Sequence, residues 1–170
     1  MATIDPTVVE LHPYSESDLD LLRRANRPEL MDQMGGVEDD AAVVKRHERY
    51  LRLPVDGSGQ QFRVTIPGHP EGVGMVGWWV QSDRAIRTLE CGWSIEPESR
   101  GRGIAPAATL ALIHSLRERG EGGVLHAYPR VDNAASNAVC RKAGFSLAGT
   151  VTDPSVGAGV LVLNDCVVKL

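Results

Sequence analysis

The sequence has little of what would mark a disulfide scaffold, a metalloprotein or a membrane protein. It holds only three cysteines, Cys91, Cys140 and Cys166, an odd number with no CxxC pair. Its five histidines lie far apart and form no HxxxH pair. No disulfide framework and no metal site are therefore expected. No apolar run reaches the roughly 18 residues that a membrane-spanning helix needs. The first residues, Met1-Ala2-Thr3-Ile4-Asp5-Pro6, carry neither a basic start nor an apolar stretch. A secretory leader is not expected, and the cytoplasm is the expected location. There is no internal repeat, no low-complexity linker and no long run of one charge sign. With 18 basic against 22 acidic residues the net charge is −4. A basic face for nucleic acid is not expected, and neither is a membrane surface as partner.

What is present suits one globular domain. The 170 residues are 42% hydrophobic and 24% charged, enough to bury a core. Residues 7–12 read as an opening strand. Ser17-Asp18 caps a short helix to Asn26, with Pro28 just beyond. Residues 38–51 carry apolar positions at helical spacing, and Pro54 with Asp56-Gly57-Ser58-Gly59 breaks that helix. Residues 61–66, 74–80 and 86–95 read as strands of an antiparallel meander. Residues 104–119 form the clearest helix, striped by Ala107, Ala108, Ala111, Leu112 and Leu116. Then follow a strand at 124–128, a helix at 133–143 ended by Gly144, and strands at 145–151 and 160–168. The expected class is α/β (α+β): a mixed central sheet of about seven strands flanked by about four helices.

The most informative stretch runs from Trp93 to Ala108, where a strand enters Arg100-Gly101-Arg102-Gly103 and opens directly into the best helix. Unpaired amides and the positive dipole end at a helix start make an anion site. Gly101 and Gly103 keep side chains out of the way, and Arg100 and Arg102 can add charge-assisted bonds. An ordinary solvated β–α turn is the plain alternative. A second glycine run, Gly72-Val73-Gly74-Met75-Val76-Gly77, matches the dinucleotide pattern GxGxxG. It is set aside because Trp78-Trp79-Val80 continues it as strand, whereas the fingerprint must open a helix.

Farther on, Asp132 or Asn133 can cap the helix that carries Ser136 and, one turn later, Cys140. Gly144 supplies its left-handed exit. Together the two motifs resemble the GNAT superfamily of acyl-CoA N-acyltransferases. That family's Gln/Arg-x-x-Gly-x-Gly/Ala reads here as Arg100-Gly101-Arg102-Gly103-Ile104-Ala105. Its later Asn-x-x-Ser/Ala and Lys-x-Gly-Phe are matched by Asn133, Ser136, Lys142, Gly144 and Phe145. The Asn-x-x-Ser style is most similar to the Rim-type branch, which acetylates protein N-termini. The resemblance is clearest over residues 89–145 and fades in the first seventy.

The resemblance implies a single acetyltransferase domain over residues 1–170, with acceptor-side residues 1–70, an acetyl-CoA-binding core at 71–145 and closing strands at 146–170. Acetyl-CoA would lie between two splayed parallel strands. Backbone at Trp93, Ser94 and Ile95 would pair with the pantetheine, and the loop with Ile104 and Ala105 would hold the pyrophosphate. Asn133 and Ser136 would approach from the far side. Arg141 is expected to stay on a solvated helix face.

The implied chemistry is attack of a neutral amine on the thioester, so a base must take the proton. Glu90 is the candidate, on a strand face shared with Thr88, Gly92 and Ser94. His126 and Asp165 are the fallback bases. A strand amide near Trp93 or Ser94 would meet the oxyanion. Many relatives place an acid-catalytic tyrosine where this chain has Cys140, so Ser136 is the candidate replacement, as hydrogen-bond partner or proton donor to the sulfur. One of Trp78 and Trp79 should pack in the core and the other should face the acceptor. The partners implied are an amine-bearing small molecule or a protein N-terminus, with a homodimer left open. Competing readings are a catalytically weak CoA-binding sensor or regulatory module, and an NAD(P)-binding protein.

Overall fold

The computed structural model describes residues 5, 8–31, 36–81, 87–153 and 161–170. Expected features at Thr7, Ser82, Asp83, Ile86 and Val160 lie outside the described residues. β1 (Glu10–Pro13) leads through a single 3-10 turn into α1 (Leu19–Ala25). Asp18 takes the N-cap position of α1 without a side-chain cap bond, and the capping box belongs to the 3-10 turn, where the Ser15 amide donates to Asp18 Oδ2 at 2.8 Å. Asp18 is buried, and its other oxygen accepts from Arg63 Nη1 at 2.6 Å. One carboxylate thus closes the turn before the helix and ties it to the sheet.

Pro28 opens a further one-turn helix, α2 (Pro28–Met31), and does not simply follow the first. A missing N–H costs nothing at a helix start, and Leu30 and Met31 are buried there. α3 (Asp40–Asp56) is capped by Asp39, whose carboxylate accepts from the Ala42 amide at 2.8 Å. It runs five residues past the expected end at Leu51. Pro54 lies inside its last turn, where it deletes one backbone bond without breaking the helix. Gly57, with φ of 71°, makes the actual stop.

β2 (Gly59–Ile66), β3 (His69–Val80), β4 (Leu89–Ile95), β5 (Val124–Ala127), β6 (Ser146–Asp153) and β7 (Leu161–Lys169) complete one seven-stranded sheet ordered β1-β2-β3-β4-β5-β7-β6. The expected boundary between residues 70 and 71 falls inside β3. The glycine run from Gly72 to Gly77 also lies within β3 and opens no helix. A Cβ at Gly74 would strike the Ser94 carbonyl, so this glycine serves strand packing.

α4 (Ile104–Glu118) and α5 (Ala134–Lys142) are the remaining helices. Ile104, Ala108, Leu112 and Leu116 of α4 share a core with Trp78, Leu89, Cys91, Ile95, Leu125 and Cys140. Each fully buried leucine there contributes about 1.5–3 kcal/mol. On the other face Met75 packs with Leu21, Leu22, Leu30 and Val43 from the first three helices. No described helix is long and apolar enough to cross a membrane.

Every strand pair is antiparallel except β4 with β5, which pair at only two positions, Leu89 with Leu125 and Glu90 with His126. Beyond Glu90 the two strands part, and β4 runs on to Ile95 with one edge unpaired by β5.

Candidate active site

The gap between β4 and β5 is the floor of a cleft. Its walls are the loop before α4, the first turn of α5, and Trp79 and Gln81. Of the residues singled out for the coenzyme, Trp93, Ser94, Ile95, Arg100, Gly101, Gly103, Ile104, Ala105, Asn133 and Ser136 line it. Arg102 is not among the lining residues. Glu90 lines the same cleft.

At one end lies the start of α4. Its N-cap is Gly103, with φ of 85°, and no side chain caps the helix. No acidic residue occupies the first turn either. The amides of Ile104 and Ala105 precede the first intrahelical donor position, so they have no carbonyl within the helix. They add to the positive end of the helix dipole, which no acidic residue of the first turn neutralises. Gly101 also has a positive φ of 74°, a conformation that favours glycine. Arg100 is partly committed to the loop: Nε donates to the Ile95 carbonyl at 3.1 Å and Nη2 to the Glu29 carbonyl at 3.3 Å.

Along the middle, strand parity decides which backbone groups face the gap. The Glu96 amide donates to the Val73 carbonyl and the Gln81 amide to the Thr88 carbonyl, each at 2.9 Å. In an antiparallel pair, backbone groups alternate between partner and outer edge. Residues 88, 90, 92, 94 and 96 therefore turn their amides and carbonyls to β3, while Cys91, Trp93 and Ile95 turn theirs to the gap. The expected backbone role of Ser94 does not fit this parity, which turns its amide and carbonyl to β3. The same parity leaves Trp93, not Ser94, as the strand amide that faces the gap.

Opposite pairing puts Met75, Trp79, Glu90, Gly92 and Ser94 on one face of the sheet, together with His126. Trp78 is 3% exposed in the core, whereas Trp79 lines the cleft, with its ring edge over Gly92. Gln81 Nε2 donates to Glu90 Oε2 at 2.9 Å, which orients the carboxylate.

His126 and Asp165, the fallback bases, are joined: Nδ1 and Oδ1 are 2.7 Å apart. The Tyr128 hydroxyl lies 3.2 Å from the same nitrogen, and the two rings stack with centroids 5.7 Å apart. Of these three only Tyr128 lines the cleft. Sequence reasoning passed over this tyrosine, although its place two residues after His126 puts it on that face.

On the far wall, Asn133 Oδ1 accepts from the Ser136 amide at 3.0 Å, so the Asn-x-x-Ser motif is a helix cap as well as a cleft wall. Cys140 behind it is 2% exposed. Burial pushes its thiol up to about 12, with Cys166 adding to the shift. A protonated, buried thiol is a packing residue and no nucleophile. Among the described residues no cluster of side chains could hold a metal ion.

Comparison with known proteins gives the geometry a family. The acetyltransferase (GNAT) domain family matches residues 9–146. The chain is 48% identical over 54 residues to the mycothiol acetyltransferase of Nocardia farcinica, a match covering 32% of the chain and only 18% of that relative's length. Among solved structures it is similar to a Salmonella typhimurium acetyltransferase that modifies the N-terminal serine of ribosomal protein L7/L12, with a TM-score of 0.82 and 20% identity over 96% of both chains. It is also similar to an aminoglycoside acetyltransferase bound to coenzyme A, with a TM-score of 0.77 and 21% identity over 95% of this chain and 94% of that one. A third similar structure is the microcin C7 self-immunity acetyltransferase bound to acetyl-CoA and AMP, with a TM-score of 0.78 and 18% identity over 99% and 97%. At these identities the structural likeness is one of fold, while the family match spans most of the chain. The protein belongs to the GNAT acetyltransferase family.

Proposed function

We propose that the protein is an acetyl-CoA-dependent N-acetyltransferase that transfers an acetyl group to a primary amine, on a protein N-terminus or a small molecule. The observation that carries the reading is the start of α4, with neither a side-chain cap nor an acidic first turn, opening onto the unpaired edge of β4. A diphosphate fits the first feature and an amide-bearing arm fits the second. The solved structures of similar fold add support, since two of them hold coenzyme A or acetyl-CoA. The acceptors their names give, an N-terminal serine and an aminoglycoside, carry amines.

On this reading the amides of Ile104 and Ala105 take the pyrophosphate, helped by the loop from Arg100 to Gly103. Cys91, Trp93 and Ile95 pair with the pantetheine through their backbone. Asn133 and Ser136 form the opposite wall, with the Ser136 hydroxyl toward the sulfur. Residues 71–145 are then the coenzyme-binding core, and the first seventy residues shape the acceptor side. Glu90, oriented by Gln81, takes the proton from the attacking amine, because an ammonium has no lone pair to attack with. The Trp93 amide meets the oxyanion as the carbonyl becomes tetrahedral.

The test is release of the coenzyme thiol from acetyl-CoA over a panel of amines and N-terminal peptides. Glu90→Gln should slow turnover by about 100-fold or more while the affinity for acetyl-CoA stays within about threefold. Unchanged turnover would remove Glu90 from the mechanism. Tight coenzyme binding without turnover on any amine would favour a sensor or regulatory module instead.

A further inference from the structure

The candidate acid of many relatives, a tyrosine on α5, is replaced here by Cys140, which is buried in the main core. The cleft nevertheless contains a tyrosine, on another element. Tyr128 is the first residue after β5, just past the last pair that β5 makes with β4, Glu90 with His126. It is half-buried and lines the cleft.

Its neighbours constrain its proton. Asp165 Oδ1 lies 2.7 Å from His126 Nδ1. An ionised carboxylate only accepts, so Nδ1 carries the hydrogen in this pair. The Tyr128 oxygen, 3.2 Å from that nitrogen, can then only accept from it. The phenolic hydrogen must point away from the imidazole. The donating Nδ1–H, shared between the two oxygens, supports negative charge developing on the tyrosine oxygen.

We propose that Tyr128 is a catalytic acid that protonates the departing coenzyme sulfur, with His126 and Asp165 as the residues that position it. The inference rests on the acetyltransferase reading above. If phosphates sit at the start of α4, the arm follows β4 inward from Ile95 to the Trp93 amide that meets the oxyanion, next to Gly92, which the Glu90–His126 register sets level with Tyr128. That brings the thioester to the point where β4 and β5 close, beside Tyr128. The steps balance. The amine nitrogen bonds to the acetyl carbon, and its proton passes to Glu90. The carbon–sulfur bond then breaks, and the sulfur takes the Tyr128 proton. The phenolate recovers a proton by way of water from Glu90, and the enzyme returns to its starting state. Ser136, on the far wall, supplies a hydrogen bond to the sulfur without giving up its proton.

The experiment compares wild type, Tyr128→Phe, Asp165→Asn and the double variant in steady-state thiol release. Tyr128→Phe removes one hydroxyl and keeps the ring. It should lower kcat by about 10- to 100-fold, with KM for acetyl-CoA within about threefold. That is a modest effect for acid catalysis because a thiolate is a weakly basic leaving group. Asp165→Asn places an amide donor against Nδ1 and favours the other tautomer, whose bare Nδ1 would draw the tyrosine proton out of the cleft. Its kcat should fall in the same range, and Asp165→Glu should recover most of the loss. The double variant should lose no more than about twofold beyond Tyr128→Phe. A Tyr128→Phe kcat within twofold of wild type, or losses that multiply in the double variant, would overturn the assignment while leaving the acetyltransferase reading intact. A wild-type protein that releases no thiol with any amine would overturn both.

Discussion

Cys91, Cys140 and Cys166 are all buried and free of disulfides. Burial raises each thiol above its ordinary value, with Cys140 moved from 9.0 to about 12. The sign of the consequence follows from proton counting. Below about pH 9 both folded and unfolded Cys140 keep the proton, and its contribution to stability is fully present. Between about pH 9 and 12 the unfolded thiol ionises while the folded one does not, so stability falls as pH rises. The urea midpoint of the wild type should therefore drop across that window, and Cys140→Ala should drop less steeply. Equal slopes would show that Cys140 ionises alike in both states. At this scale, Glu90 and the two glycines of the loop could be picked out because their spacing is local. The His126–Asp165 pair joins residues 39 positions apart. Nothing in the order of letters announces that contact, because neither residue's spacing points to the other. The backbone role expected of Ser94 does not fit the strand parity for a related reason. Alternation tells which side chains share a face, but only the register against β3 tells which amides face the gap.

Among the elements, the two helices that frame the cleft begin in opposite ways. α5 starts on Asn133, whose side chain takes the Ser136 amide, while α4 starts on a glycine with no side-chain cap. The first arrangement favours stability and the second leaves donors for a ligand. Asn133→Ala should cost about 1 kcal/mol of unfolding free energy, read from urea denaturation without coenzyme. A cost below a few tenths would mean that another group satisfies the Ser136 amide. Apart from α2, element order was readable because the strand and helix periods differ sharply, as in the stripe of Ala108, Leu112 and Leu116. Ends were less readable. α3 continues through Pro54 because a proline in a last turn forfeits one bond and no more. α2 is too short to have a period, and what holds it is the burial of Leu30 and Met31 against the other helices.

For the whole molecule, the two cores sit on opposite faces of one sheet, and the cleft divides that sheet between β4 and β5. A ligand that spans the division binds the folded state alone. Acetyl-CoA at about 100 times its Kd should add about 2.7 kcal/mol to stability, seen as a rise in Tm. Gly103→Glu sets a carboxylate against the proposed diphosphate site and forces a side chain into a positive-φ position. It should abolish the rise, and a full rise in that variant would refute the placement of the coenzyme at α4.

The two-rung junction of β4 and β5 has a last consequence. Two slabs joined by so short a hem leave the outer half of β4 as a socket for a strand that the chain does not encode. An amide-bearing cosubstrate would act as a removable stave, gripped by the same kind of bonds that knit the rest of the sheet. The interior would be whole only during the catalytic cycle, and letting the spent molecule go would mean unpicking one row of stitching while both cores stay shut.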